Sequence, residues 1–295
     1  MKTTLSFLAV LLLISCIEEK KRLNKINVPN YVELAAVDVK MCEPIDGDWL
    51  KQHPEPGQTF SEYLQKNPVT ITNSKNVIYL QPIGTFTEKE NKMFLLTKEY
   101  VGYFFGLKTV LLEPISADLI PKEKKRMLFG GEQLDASYII QTVLEDKLPG
   151  DGIVIMGLTA QDLYPRLDWN FVYGLASYTK HTAVTSMNRF KDSDFEEGNY
   201  SLCLNRLIKT AAHEITHMFT VAHCTNAYCL MNGVNHSVEL DQHPNALCSV
   251  CLAKLSWNLE FDNLKRMENM ISFCKRHKLD SDALILHKQY TILKQ

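Results

Sequence analysis

Between residues 77 and 187, the order of apolar and polar positions predicts strands interleaved with helices. Thr87 and Glu90 have the spacing of a capping box, which predicts the start of the first helix. Short apolar runs predict the strands. The first predicted strand covers residues 77–80, and the first helix starts near residue 87. They are followed by a strand over 109–112, a helix over 135–144, and strands over 152–156, 171–178 and 182–187. Strands that alternate with helices in this way indicate an α/β fold.

A long helix is predicted over residues 202–219, and a second amphipathic helix over 261–276. In the first, Leu204, Ile208, Ala211, Ile215 and Phe219 form an apolar stripe at helical spacing. Two histidines of the same helix, at 213 and 217, fall outside the stripe. They are therefore predicted to face a cleft, and not the core.

The run from His213 to His217 carries the chemistry of this helix. His213 and His217 are four residues apart, so both imidazoles project from one face and can reach one metal ion. His223 can supply a third nitrogen if the chain turns back after the helix, which leaves a fourth position free for water, as in catalytic zinc sites. Glu214 is suited to take a proton from the zinc-bound water. The alternative is an exposed helix face with two unpaired histidines.

Four cysteines follow the histidines in two pairs. Cys224 and Cys229 are separated by four residues, and Cys248 and Cys251 form a C-x-x-C pair. Two such pairs in one short segment are typical of a closed four-thiolate zinc site. A disulfide between Cys248 and Cys251 is the alternative, which applies if the protein is exported to an oxidising compartment.

The whole string H-E-x-x-H-x5-H-C-x4-C-x-M-x16-C-x-x-C resembles the archaemetzincins, a family of zinc metallopeptidases. Residues 77–84, 162–177 and 248–255 are also similar to family sequence, so the resemblance covers roughly residues 75–258. It implies a metzincin-like α/β fold with a mixed twisted sheet, an active-site helix and a small zinc-stapled C-terminal subdomain.

Position by position, the resemblance implies two Zn²⁺ ions per chain. The catalytic zinc would be held by His213, His217 and His223, with Glu214 as the general base. The structural zinc would be held by Cys224, Cys229, Cys248 and Cys251, and Met231 would be the methionine of the turn beneath the catalytic site. Thr220 departs from the family, which usually has glycine there. The turn is therefore expected to be built differently, or His223 to sit slightly off.

The N-terminus predicts export. Lys2, a short apolar run and Leu-Ile-Ser before Cys16 resemble a lipoprotein signal, so residues 1–16 are expected to end at a lipidated Cys16. An ordinary secretory peptide is the alternative. The implied protein is anchored through this lipid to the membrane of a bacterial cell envelope. Residues 17–74 are predicted to be a loop-rich segment with one helix near Phe60, and residues 75–295 the peptidase domain.

The amino-acid composition bears on the partners of the protein but indicates no further binding site. The chain has 295 residues, 45% hydrophobic and 22% charged, with a net charge of −2. This balance does not favour nucleic acid. The predicted function is zinc-dependent hydrolysis of peptide bonds in a peptide or protein substrate. The alternative is a surface-anchored zinc-binding or interaction module whose peptidase site is degenerate, which Thr220 favours and Glu214 disfavours.

Overall fold

The computed structural model describes residues 31–191 and 197–295, and Cys16 lies outside them. Its strands are β1 (Val77–Pro82), β2 (Thr109–Leu111), β3 (Lys125–Leu128), β4 (Gly131–Asp135), β5 (Gly152–Thr159), β6 (Asp162–Tyr164), β7 (Gly174–Ala176) and β8 (Thr182–Ser186). Its helices are α1 (Tyr31–Leu34), α2 (Trp49–Gln52), α3 (Phe60–Gln65), α4 (Glu88–Phe105), α5 (Ala136–Tyr138), α6 (Glu197–Met218), α7 (Ser237–Gln242), α8 (Ser249–Leu259), α9 (Asn263–Arg276) and α10 (Asp280–Leu293).

A five-stranded mixed sheet forms the centre, in the order β2-β1-β5-β8-β7. The first four strands are parallel, and β7 pairs antiparallel with β8 at the edge. Strands β1, β5 and β8 are buried along their whole length. This explains the apolar runs in β1 and β5, as expected of strands covered on both faces, whereas β8 buries small hydroxyl side chains as well. The predicted α/β class with a mixed sheet is confirmed.

The predicted capping box begins helix α4 as expected. The backbone N–H of Thr87 donates to the Glu90 carboxylate at 2.8 Å, and the Glu90 N–H donates to the Thr87 hydroxyl at 3.3 Å. The helix ends at Gly106, whose φ of 62° is the left-handed conformation that glycine adopts without a steric penalty. Phe104 and Phe105, just before this end, are fully buried in the main core.

The predicted order of elements is incomplete between β2 and β7. A hairpin of β3 and β4 pairs with β6 in a second, three-stranded sheet that the sequence reasoning missed. Its first two strands are rich in charged and polar residues, so no apolar run marks them. The helix predicted over 135–144 is one α-turn followed by the π-helical turn Ile139–Val143, and the strand predicted over 171–178 is limited to β7.

Helix α6 lies against β7, β8 and α4, and its apolar stripe enters the main core. After α6 come the short helix α7 and the three C-terminal helices α8, α9 and α10. Of these, α9 was predicted, and it begins at Asn263 because the carboxylate of Asp262 accepts a hydrogen bond from the Lys265 N–H at 3.0 Å. Helices α8 and α10 were not predicted. Across the described parts of the chain, every helix is too short or too polar to cross a lipid bilayer.

Candidate metal centre and active-site cleft

Three histidines converge at the C-terminal end of helix α6. The Nε2 atoms of His213 and His217 are 2.9 Å apart, since the two residues are one helical turn from each other. The His223 ring lies 5.3 Å from the ring of His213 and 4.9 Å from that of His217, centroid to centroid. One ring nitrogen from each of the three lies within 4.8 Å of the others.

Hydrogen bonds orient all three imidazoles in the same sense. Nδ1 of His213 donates to the Leu230 carbonyl at 2.8 Å, and Nδ1 of His217 donates to the Val221 carbonyl at 2.7 Å. Because a carbonyl can only accept, each Nδ1 carries the proton and each Nε2 presents its lone pair to the centre. Nδ1 of His223 donates in the same way to the Glu55 carboxylate at 2.8 Å.

These donors fit zinc. Two unprotonated nitrogens at 2.9 Å repel each other unless a cation lies between them, and three neutral imidazoles are the ligand set of a common catalytic zinc site. Burial lowers the pKa of His213 to about 3 and that of His217 well below its usual value, so both stay neutral. Neutral imidazole is the form that binds a metal ion.

The turn between the helix and the third histidine is built on Thr220 itself. Its φ is +70°, the left-handed conformation that the family's usual glycine adopts without strain. Its hydroxyl accepts a hydrogen bond from the Val69 N–H, and its carbonyl accepts one from Gln58 Nε2, both at 3.2 Å. The chain therefore turns back as a glycine would allow, and His223 joins the other two histidines.

Glu214 lies beside the histidines under the edge strand β7. Only 7% of its surface is exposed, and burial raises the pKa of its carboxyl to about 8. A Cβ atom added at Gly174 would lie 2.6 Å from Glu214 Oε1, so the strand passes directly over the carboxyl group. Glycine at this position leaves the space that Glu214 occupies.

The four predicted cysteines form a second cluster. Their sulfur atoms all lie within 4.8 Å of one another, and those of Cys224 and Cys248 are 3.6 Å apart. A disulfide requires about 2.05 Å, and all cysteines in the described parts of the chain are free. Hydrogen bonds from neighbouring thiols lower the pKa of Cys224, whereas burial raises that of Cys229. Four buried sulfurs at these distances fit the tetrahedral sulfur set of structural zinc.

The two clusters share one loop. His223 and Cys224 are adjacent, and the backbone N–H of Cys224 donates to the Met231 carbonyl at 2.7 Å. Leu230, next to Met231, supplies the carbonyl that orients His213. Met231 is fully buried, and its place beneath the histidines stays a prediction.

A cleft of about 830 Å³ opens over the histidines and Glu214. Sequence reasoning missed three contributors: Trp49 and Tyr178, which line it, and Glu55, which binds His223. The Tyr178 hydroxyl lies 2.9 Å from His217 Nδ1, and the indole of Trp49 packs edge-on against His223 with ring centroids 5.3 Å apart. No motif marks these residues, because Trp49 and Glu55 are more than 150 positions from the histidines and only the fold brings them there.

This combination of an α/β fold, a helix with H-E-x-x-H and a third histidine beyond a tight turn defines a metallopeptidase of the zinc-dependent class. The family model of peptidase family M54 matches residues 137–257. Archaemetzincin-2 of Homo sapiens is 31% identical over 276 residues, covering 79% of this chain and 74% of that protein. Archaemetzincin-2 of Pongo abelii matches over 277 residues with the same identity and coverage.

The chain belongs to the archaemetzincin family. Among solved structures, the archaemetzincin of Methanopyrus kandleri superposes with a TM-score of 0.52 at 25% identity, covering 64% of this chain and 98% of that one. The predicted family, fold class and enzyme class, a zinc metallopeptidase, are therefore confirmed.

Proposed function

We propose that the protein hydrolyses peptide bonds in the cleft above His213, His217 and His223, with Glu214 as the general base. The observation that carries this proposal is the convergence of three imidazole rings, each with its Nδ1 bonded to an acceptor, beside a buried carboxyl group. Zinc held there would supply Lewis acidity, which polarises a carbonyl oxygen and makes water more acidic. The three histidines would hold this ion, and the four cysteines a second one, for two zinc ions per chain.

Glu214 transfers the proton during hydrolysis. Burial alone favours the protonated form of Glu214, but a cation held by the histidines would lower the pKa of this carboxyl group and so favour the carboxylate. The carboxylate takes a proton from the attacking water and gives it to the nitrogen of the departing amine. Strand β7 passes directly over the carboxyl group at Gly174 and leaves it little room to move. Burial excludes bulk water from this carboxyl group, so the proton that it takes is kept for the amine.

Glu214→Gln tests the mechanism directly. Glutamine has the same shape and cannot accept the proton, so turnover of a peptide substrate should fall by about 10²- to 10⁴-fold. Zinc content should stay at two per chain, since Glu214 is not a ligand. Glu88→Gln, at an exposed position on α4, is the matched control and should leave both quantities unchanged. A Glu214→Gln variant that kept its peptidase activity would remove Glu214 from the mechanism.

The alternative, a zinc-binding module with a degenerate site, makes a different prediction. It expects zinc in the wild-type protein but no hydrolysis of any peptide in a broad substrate screen. The left-handed turn at Thr220 and the position of His223 support the enzyme, because the feature that favoured degeneracy does not displace the third histidine.

Export as a lipid-anchored protein of the cell envelope remains a proposal that rests on the sequence before Cys16 alone. Incorporation of a labelled fatty acid tests it, because the wild type should be labelled and Cys16→Ser should not. A wild type without label, or a Cys16→Ser variant with the same label, would rule out lipidation at this residue.

A further inference from the structure

The third histidine donates its Nδ1 proton to a different kind of acceptor from the other two. Backbone carbonyls fix His213 and His217, whereas a side chain fixes His223: both oxygens of Glu55 lie within hydrogen-bond distance of Nδ1, at 3.0 and 2.8 Å. A carboxylate in this position keeps the proton on Nδ1, directs the Nε2 lone pair toward the other histidines and makes the ring a better donor to a metal ion.

Glu55 is itself held in place. The indole Nε1–H of Trp49 donates to Glu55 Oε1 at 3.0 Å, and the same indole packs against the His223 ring. Pro54 and Pro56 flank Glu55, so proline fixes the backbone on both sides of it. A Cβ at Gly233 would lie 2.3 Å from the Trp49 ring, so the indole can occupy this position only if residue 233 is glycine.

The residues after Glu55 bind the turn that leads to His223. Gln58 donates through Nε2 to the Thr220 carbonyl and accepts through Oε1 from the Ala222 N–H, each at 3.2 Å. The hydroxyl of Tyr63 donates to the Phe219 carbonyl at 3.1 Å. Residues 55–63 thus contact both the turn and the histidine, and they lie outside the region that the family model matches.

We propose that Glu55 is a positioning residue for the histidine site: by fixing the tautomer and orientation of His223, it sets the affinity of that site for zinc. The role rests on the proposed zinc site. It assigns a function to part of the segment 17–74, for which the sequence predicted only loops and one helix.

Competition with a chelator tests this role without any assay of activity. Zinc retained per chain is measured against increasing chelator for the wild type, Glu55→Gln and Glu55→Ala. The cysteine-held zinc serves as an internal reference, because Glu55 does not contact that cluster. Glu55→Ala should weaken the histidine site by about 10- to 100-fold, and Glu55→Gln, which keeps an acceptor but no charge, by less. Glu43→Gln, exposed on the same segment, is the matched control and should behave as the wild type.

The outcomes separate the two proposals. A wild type that holds only the cysteine zinc contradicts the proposed function itself. The role of Glu55 is overturned if the wild type holds two zinc ions and the histidine site of Glu55→Ala binds zinc within about twofold of the wild-type affinity. Loss of zinc from both clusters in Glu55→Gln, which is isosteric and should fold, also overturns it, since Glu55 would then support the fold in general.

Discussion

Thr220 is strained by its own backbone, yet it is anchored by its side chain. A non-glycine residue in the left-handed region costs about 1–3 kcal/mol, and among the described residues with positive φ Thr220 is the β-branched one. The hydroxyl offsets part of this cost because it binds the Val69 N–H. A glycine would remove the strain and the hydrogen bond together, so the two effects oppose each other.

Two substitutions at position 220 separate these effects. Thr220→Val keeps the shape and the strain but leaves the Val69 N–H without its acceptor, which should lower the free energy of unfolding by about 1–2 kcal/mol. Thr220→Gly should stay within about 1 kcal/mol of the wild type, because the relief of strain offsets the lost bond. Urea unfolding of the zinc-loaded protein measures both. Equal stabilities for the valine variant and the wild type would show that the hydroxyl contributes nothing.

Gly174 gives a second prediction at the same scale. In Gly174→Ala the new methyl group would meet the Glu214 carboxyl group at 2.6–2.9 Å, so the carboxyl or the strand must shift. A displacement of about 1 Å can cost about 10²-fold in rate, and we expect kcat/KM to fall by that order while both zinc ions stay bound. Gly150→Ala, where an added Cβ meets nothing within 4 Å, is the control. Unchanged kinetics in Gly174→Ala would mean that the carboxyl group is free to move.

At the scale of elements, the loop between Cys224 and Met231 links the cysteine cluster to the histidines. It carries His223 at one end and the Leu230 carbonyl, which orients His213, at the other. Zinc binding at the histidines should therefore depend on the cysteine cluster, whereas zinc binding at the cysteines should not depend on the histidines. Cys248→Ser should release the loop and lower the zinc content of both clusters, whereas His213→Ala should remove the histidine-held zinc alone. Zinc analysis of the two variants checks this, and a Cys248→Ser protein that keeps its histidine-held zinc would show that the loop holds its shape unaided.

The sequence predicts the elements and residues whose signals are local. The capping box at Thr87, the buried strands and the ligand spacings were all readable, because each depends on neighbours a few positions apart. The β3–β4 hairpin was not, since its strands are polar and short. Glu55, Trp49 and Gly174 were not either: their roles arise from contacts across the fold, and neither an isolated glutamate between prolines nor a single glycine has a spacing that marks it.

At the scale of the whole molecule, the N-terminal part of the described chain packs against the last third of the chain. The Asp38 carboxylate accepts from the Ser249 N–H at 3.0 Å, at the start of the helix that carries Cys251. The Val39 carbonyl accepts from the Tyr228 N–H at 2.8 Å. Together with Glu55, these contacts join segments separated by 168 to 211 positions in sequence. Contacts of such long range slow folding, because closing a long loop costs conformational entropy.

The position of Glu55 in the chain has a consequence for the timing of biosynthesis. A ribosome makes Glu55 early and His223 much later, so every chain that ends before residue 223 lacks part of the histidine site. Glu55 can take up its partner only after His223 has left the ribosome and the turn at Thr220 has formed. The nascent protein therefore carries no assembled peptidase site while its own unfolded segments are exposed to hydrolysis.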